Sequence, residues 1–419
     1  MKVLIQSAKI LDPNSPFHKK IRNVVIQNGR ITDIGEKNYQ ADKVIKAEGM
    51  LLSIGWFDLG TYVGDPGMEQ KEDLDSVTRA AVAGGFTELA VLPNTQPCIQ
   101  TKNDVTYLTK GNDSRLVQVH ALASVTRNHK GEELTEMIDL HEAGAVGFTD
   151  GLKTIWHTDI FLKALQYLQT FNGVLIDHPE DVWLNLLGQM HEGLTSTELG
   201  LKGMPGIAEE VAISRNLKLL DYAGGRLHVA RLSTVRSVNL LRSARKKLPV
   251  TCDVAAYQPL LTDSSLVGFD TNYKVNPPLR EKRDNDALIK GLKDGTIDVI
   301  CSGHVPQDVE SKNVEFDHAE PGIINLQTTG CNLVSLSEWV KWEVLIGKIT
   351  SGPRTVLGLD VPVIDVDARA NLTLFDPART WVLDEKSNFS KSANSPWFGK
   401  PVKGKVVAVF NNGRQRIDD

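Results

Sequence analysis

The chain has 419 residues, of which 41% are hydrophobic and 24% charged, and it carries a net charge of −5 at pH 7. That length buries a large core, and the mildly acidic balance argues against a nucleic-acid or anionic-membrane partner. The four cysteines, Cys98, Cys252, Cys301 and Cys331, are scattered without a C-x-x-C pair and read as buried thiols of a reducing compartment. The opening M-K-V-L-I-Q-S is too short an apolar run for a signal peptide, and no run of about 18 apolar residues occurs, so a soluble cytoplasmic protein is expected.

Residues 1–52 read as β. Val24-Val25-Ile26-Gln27 and Arg30-Ile31-Thr32-Asp33-Ile34 flank Asn28-Gly29, a strong short hairpin signal because both turn positions need positive φ. The C-terminus repeats the device, with a run over 405–410, the turn Asn411-Asn412-Gly413 and a return over 414–417. Residues 372–376 add another strand. Neither end makes a stable β domain alone, so the economical reading is one small β-sandwich built from 1–52 plus 363–419, with 53–362 inserted between them.

The insert alternates short apolar strands with helical stretches. Eight strands are expected, over 52–58, 87–93, 116–123, 145–149, 173–176, 226–230, 250–254 and 298–302. Most are continuous apolar runs, the signature of strands buried on both faces. Helices are expected over 72–83, 132–141, 208–222, 234–247 and 284–292, several ending at glycine or before proline. Eight alternating units predict an α/β fold, a (β/α)8 TIM barrel with its chemistry at the C-terminal ends of the strands.

Five segments carry a resemblance to a known family: A-G-A-V-G-F-T-D at 143–150, H-P-E-D at 178–181, E-G-L-T-S-T-E-L-G-L-K-G-M-P-G-I-A-E-E at 192–210, K-V-N-P-P-L-R at 274–280 and S-K-S-A-N-S-P-W-F-G at 390–399. In their joint order they resemble the dihydroorotases of the amidohydrolase superfamily, in the form related to the multifunctional-complex type. The resemblance implies a metal-dependent hydrolase of pyrimidine biosynthesis that closes and opens the dihydroorotate ring. Zinc would be held by an H-x-H pair of strand one, an acidic or carboxylated-Lys ligand of strand four and one His each from strands five and six. An Arg after H-x-H would bind the substrate carboxylate, and a strand-eight Asp would shuttle the proton.

Carried over position by position, most of that chemistry is missing. Gly60 and Tyr62 stand at H-x-H, Gly64 at the substrate Arg, Arg231 at the strand-six His and Gly303 at the catalytic Asp. Glycine has no ligating atom, a phenol with a pKa of about 10 is a poor zinc ligand, and a guanidinium has no free lone pair. Tyr257-Gln258 replaces the His-His of strand seven, and Gln307 the final His of strand eight. Asp150 and His178 match residual metal-ligand positions, and Asn94, Asn276 and His304 match substrate-side or supporting positions. Two ligands do not make a catalytic zinc site, which typically takes three protein ligands and a water.

The plainer roles of these residues are a polar pair for Asp150 and His178, a plug for Tyr62, and structural partners for His228 and His304. Arg231 is expected to replace the metal's charge and neutralise Asp150, since an unpaired buried carboxylate is costly. A new nucleophile at Ser302 beside His304, or Ser233 near His228, is weakly indicated because neither lies in a G-x-S-x-G elbow. The leading expectation is therefore a catalytically inactive family member with no metal or other cofactor, and the resemblance implies aspartate transcarbamoylase as its partner. The rivals are a working dihydroorotase or cyclic amidohydrolase with a reduced zinc site, and a sensor binding a small molecule through Arg231, Asn94 and Asn276. A homo-oligomer, commonly a dimer in such folds, is expected.

Overall fold

The computed structural model describes residues 1–37 and 39–418. Barrel strands one to eight are Trp56–Thr61, Phe86–Val91, Gln118–Ala123, Gly147–Phe148, Val174–Asp177, Arg226–Val229, Val250–Ala255 and Val299–Cys301. They pair in that order and are parallel throughout. Their near-continuous burial explains the apolar runs, since both faces are covered. The seam between strands eight and one is bridged by the buried Asp58 carboxylate, which accepts from the Ser302 hydroxyl at 2.6 Å, and by Tyr62 N–H, which donates to the His304 carbonyl at 3.0 Å.

The run expected as one strand over 52–58 is two strands. Leu51–Ile54 belongs to a sheet built from both termini, where it lies antiparallel to Leu372–Val382 and parallel to Lys2–Ile10. Trp56–Thr61 then starts the barrel. The terminal sheet runs Arg414–Ile417, Pro401–Asn411, Leu372–Val382, Leu51–Ile54, Lys2–Ile10, Ile21–Gln27 and Arg30–Gly35, with Lys43–Lys46 also on Lys2–Ile10. Both hairpins turn on the residues the sequence marks: φ is +52° and +74° at Asn28 and Gly29, and +50° and +69° at Asn412 and Gly413.

The expected helices form at Leu74–Ala83, Met137–Glu142, Gly206–Ala223, Val235–Ala244 and Lys282–Asp294. Lys102–Thr109 and Thr158–Leu168, among the further helices on the barrel, were not expected, and the second has no glycine directly after it for the punctuation signals to find. Thr158–Leu168 nonetheless buries Ile160, Phe161, Ala164, Leu165 and Leu168, an i, i+4, i+8 stripe legible in the sequence.

The base of the barrel is tied to the terminal sheet by a buried polar network. Glu88 on strand two accepts from Arg354 Nη2 at 2.6 Å and from Asn371 Nδ2 at 3.2 Å, and its other oxygen meets His120 Nε2 at 2.9 Å. Arg354 is fully buried and also donates to the Gly55 carbonyl at 3.0 Å. Burial alone would raise the Glu88 pKa, but the hydrogen bond from His120 and the Arg354 charge outweigh it and hold it at about 2, below its usual 4.5. A depressed carboxyl stabilises the fold fully above its unfolded pKa, and this contribution is lost as pH falls towards the folded value. Between pH 4.5 and about 2, the wild type should therefore lose stability more steeply than Glu88→Gln in urea titrations. Arg354→Met, which leaves Glu88 buried without its charge partner, should lower unfolding free energy at neutral pH by about 3–5 kcal/mol.

Candidate active-site mouth

The C-terminal ends of the eight strands converge as expected, and the residues marked in the sequence lie around this mouth. Tyr62 is 5% exposed and packs with Phe57, Leu59 and Leu92, its hydroxyl pointing at Met68 Sδ 3.7 Å away. Burial, with the charges of Asp308 and Glu320, pushes its pKa up to about 12, so the phenol stays protonated. A Cβ on Gly64 would lie 2.1 Å from the Met68 carbonyl oxygen, so this tight turn has no room for a side chain.

Gly303 sits at φ +67°, and a Cβ there would lie 2.7 Å from Tyr257 Cε1 and 2.8 Å from Ala255 Cβ. The Tyr257 ring thus fills the space that a residue larger than glycine would claim. Tyr257 is buried, and burial raises its pKa to about 12. The glycine of strand eight and the tyrosine of strand seven are two halves of one packing solution.

Asp150 is buried and well supplied with donors. It accepts from Val125 N–H at 3.0 Å, from Thr126 N–H at 2.9 Å and from the Thr126 hydroxyl. Burial nevertheless raises its pKa to about 6. The expected charge replacement at this residue is not found: Arg231 and Asp150 form no ion pair. Three hydrogen bonds from the loop after strand three satisfy the carboxylate instead. Arg231 takes another direction. Its backbone N–H donates to Asp253 Oδ1 at 2.8 Å, and its Nη2 reaches across the mouth to the Gly60 carbonyl at 3.2 Å.

Three marked residues brace loops. Asn94 Nδ2 donates to the Asp150 carbonyl at 3.0 Å and its Oδ1 accepts from Leu152 N–H at 3.0 Å, clamping the loop after strand four. Asn276 Nδ2 donates to Glu180 Oε2 at 3.0 Å. His304 Nδ1 accepts from Asn325 N–H at 3.1 Å, and its Nε2 lies 3.4 Å from Glu72 Oε2 without a hydrogen bond. His178 is 4% exposed; its Nε2 lies 3.7 Å from Glu180 Oε2 and its Nδ1 has no partner. Burial lowers the His178 pKa and keeps the ring neutral.

The nucleophile candidates are committed elsewhere. Ser302 serves Asp58, and Ser233 donates to Glu209 and accepts from Arg280 Nε at 2.9 Å. His228 is a satisfied structural residue, bonded to Asp253 at 2.9 Å and Thr251 at 2.8 Å. Sequence reasoning passed over Glu72 and Glu180, the acids that organise the mouth. Glu180 was visible inside H-P-E-D. Glu72 was not, because its meaning comes from Ser390 and the Lys391 N–H, which reach it from the far end of the chain.

Among the described residues, His191, Glu281 and Asp284 bring three ligand atoms within 4.8 Å of one another. The tautomer works against a metal there. Arg280 Nη1 donates to His191 Nδ1 at 3.1 Å, so the neutral ring carries its proton on Nε2, the atom that faces Glu281 Oε1 at 3.9 Å. A metal on Nε2 would need the other tautomer and would strand an arginine donor.

The family model described as dihydro-orotase-like matches residues 49–237. The dihydroorotases of Pelobacter propionicus and Geobacter sp. strain M21 are 38% and 37% identical to this chain, across 99% of it and 99% of each relative. Of solved structures, the L-hydantoinase (dihydropyrimidinase) of Arthrobacter aurescens aligns with a TM-score of 0.85 at 21% identity, covering 99% of this chain and 96% of its own. The D-hydantoinase of Thermus sp. aligns at 0.81 and 18% identity, covering 100% and 95%. At these identities the structural likeness speaks for the fold.

The Gly303–Tyr257 packing makes a specific demand. Gly303→Asp should destabilise the protein by about 2 kcal/mol or more, from overpacking and positive φ together. Adding Tyr257→His should recover part of that loss, measured as the interaction energy of a double-mutant cycle in denaturant.

Proposed function

The chain belongs to the dihydroorotase family, and within it we propose a non-catalytic member that serves pyrimidine biosynthesis as a partner protein. The observation that carries this reading is the joint occupation of the mouth by Tyr62, Tyr257 and Arg231, where a hydrolase of this family needs metal ligands and a proton shuttle. The residues present do not fit the family's zinc. Gly60 offers no ligand atom, the Tyr62 phenol stays protonated, Arg231 brings a positive charge, and the Asp150 oxygens already accept three hydrogen bonds. His178 is left with an unpartnered ring nitrogen, Nδ1.

The surface supports a protein partner. The stretch 182–187 leaves Trp183 75% and Leu187 72% exposed beside the start of helix Gly206–Ala223, to which Asp181 N–H bonds through the Ala208 carbonyl. The same helix and Val235–Ala244 form an open groove of about 820 Å³ in which Ile207, Val211 and Leu240 sit among Glu210, Arg215, Lys218 and Arg236. Exposed apolar side chains rimmed by charged ones often mark a docking site. The partner the family resemblance implies is aspartate transcarbamoylase. A working dihydroorotase with a reduced zinc site is the rival, carried by the names of the relatives.

Metal analysis of the purified protein, before and after dialysis against zinc, tests the non-catalytic reading: well under one equivalent is expected at the mouth, whereas one tightly held equivalent would contradict it. Sedimentation velocity with the same organism's aspartate transcarbamoylase tests the partnership. A joint boundary that Trp183→Ser weakens is expected; independent sedimentation with unchanged transcarbamoylase stability would rule the partnership out.

A further inference from the structure

Arg231 is an unusual buried charge. The residue is 6% exposed, and its one hydrogen-bond acceptor among the described residues is the Gly60 carbonyl at 3.2 Å. Among the described residues no carboxylate lies within 4 Å of its guanidinium. The nearby acids are committed elsewhere. Asp253 accepts from the Arg231 backbone and from His228, Glu180 takes Asn276, Glu209 takes Ser233, and Asp150 is filled by Val125 and Thr126. A guanidinium has five N–H donors in a planar fork and does not shed its proton. Beyond the Gly60 carbonyl its donors meet no acceptor among the described residues and are free to take a counter-anion. A second buried polar atom stands idle in the same mouth: His178 Nδ1 has no partner, and the Arg231 charge acts on that ring.

We infer that Arg231 anchors an anion in the barrel mouth, taking the carboxylate of a small carboxylic acid in the place where relatives hold metal. The inference rests on the non-catalytic reading, because it needs the metal positions vacated. A carboxylate matches the guanidinium fork with two parallel hydrogen bonds. The neutral His178 ring adds a donor or acceptor of either kind as the ligand requires.

The test is calorimetric titration of the whole protein at fixed ionic strength with succinate, its neutral isostere succinamide, inorganic phosphate and chloride. Wild type, Arg231→Gln and Arg231→Lys are compared. Succinate should bind at least about tenfold more tightly than succinamide, Arg231→Gln should erase that preference, and Arg231→Lys should retain only part of it, since an ammonium keeps the charge and loses the fork. Equal binding of succinate and succinamide, binding of chloride alone, tighter binding of phosphate, or an unchanged preference in Arg231→Gln would each overturn the inference. Should Arg231→Gln fail to fold, the wild-type comparison of the isosteres still decides. Zinc content of the same samples separates the two readings. Zinc-free protein without a carboxylate preference removes this inference alone. Stoichiometric zinc alongside an Arg231-dependent preference removes the non-catalytic reading alone.

Discussion

A guanidinium remains charged at every pH a protein survives, so a buried arginine dictates the electrostatics around it. Arg231 imposes that constraint on the barrel mouth. A dication at the same place would meet a fixed positive charge at close range and be repelled by it. The Gly60 carbonyl turns its dipole towards Nη2. Burial first, with the arginine charge adding to it, lowers the His178 pKa, while burial keeps the Tyr62 and Tyr257 phenols protonated, at Tyr257 against the pull of the arginine. Gly303 follows as space, because it makes room for the Tyr257 ring.

The motifs that survive do structural work. The segment 390–399 crosses from the terminal sheet to the mouth and fastens it at several points. Ser390 and the Lys391 N–H hold Glu72, Ser392 donates to the Lys71 carbonyl at 2.7 Å, and Asn394 Nδ2 donates to the Val305 carbonyl at 3.1 Å. Asp58 closes the seam between the first and last strands, and Asn94 pins the loop that carries Asp150. Each of these residues would persist without turnover because the barrel needs it to close. Retention of family motifs is therefore compatible with the proposed loss of family chemistry.

Much of this was legible in the sequence. The barrel strands, the two Asn-Gly turns and the terminal sheet follow from apolar runs and turn chemistry, which are local signals. The vacated positions were legible because residue type alone decides whether an atom can ligate. Contacts across the mouth were not. Arg231 was expected to neutralise Asp150, yet hydrogen bonds from Val125 and Thr126 already satisfy that carboxylate, and no sequence pattern reports which donors a fold delivers. The role of Glu72 depends on a segment 318 residues away in the chain. The pairing of Gly303 with Tyr257 needs the geometry of two adjacent strands. The break at Gly55, which divides one apolar run between two sheets, was hidden because both halves are equally buried.

The central claim is that this mouth performs no hydrolysis. Its most direct test is a dihydroorotate turnover assay with high concentrations of the purified protein in zinc-supplemented buffer, followed in both ring-opening and ring-closing directions. The account predicts rates indistinguishable from the protein-free control, unchanged by added zinc. Measurable turnover that chelator abolishes and zinc restores would contradict it.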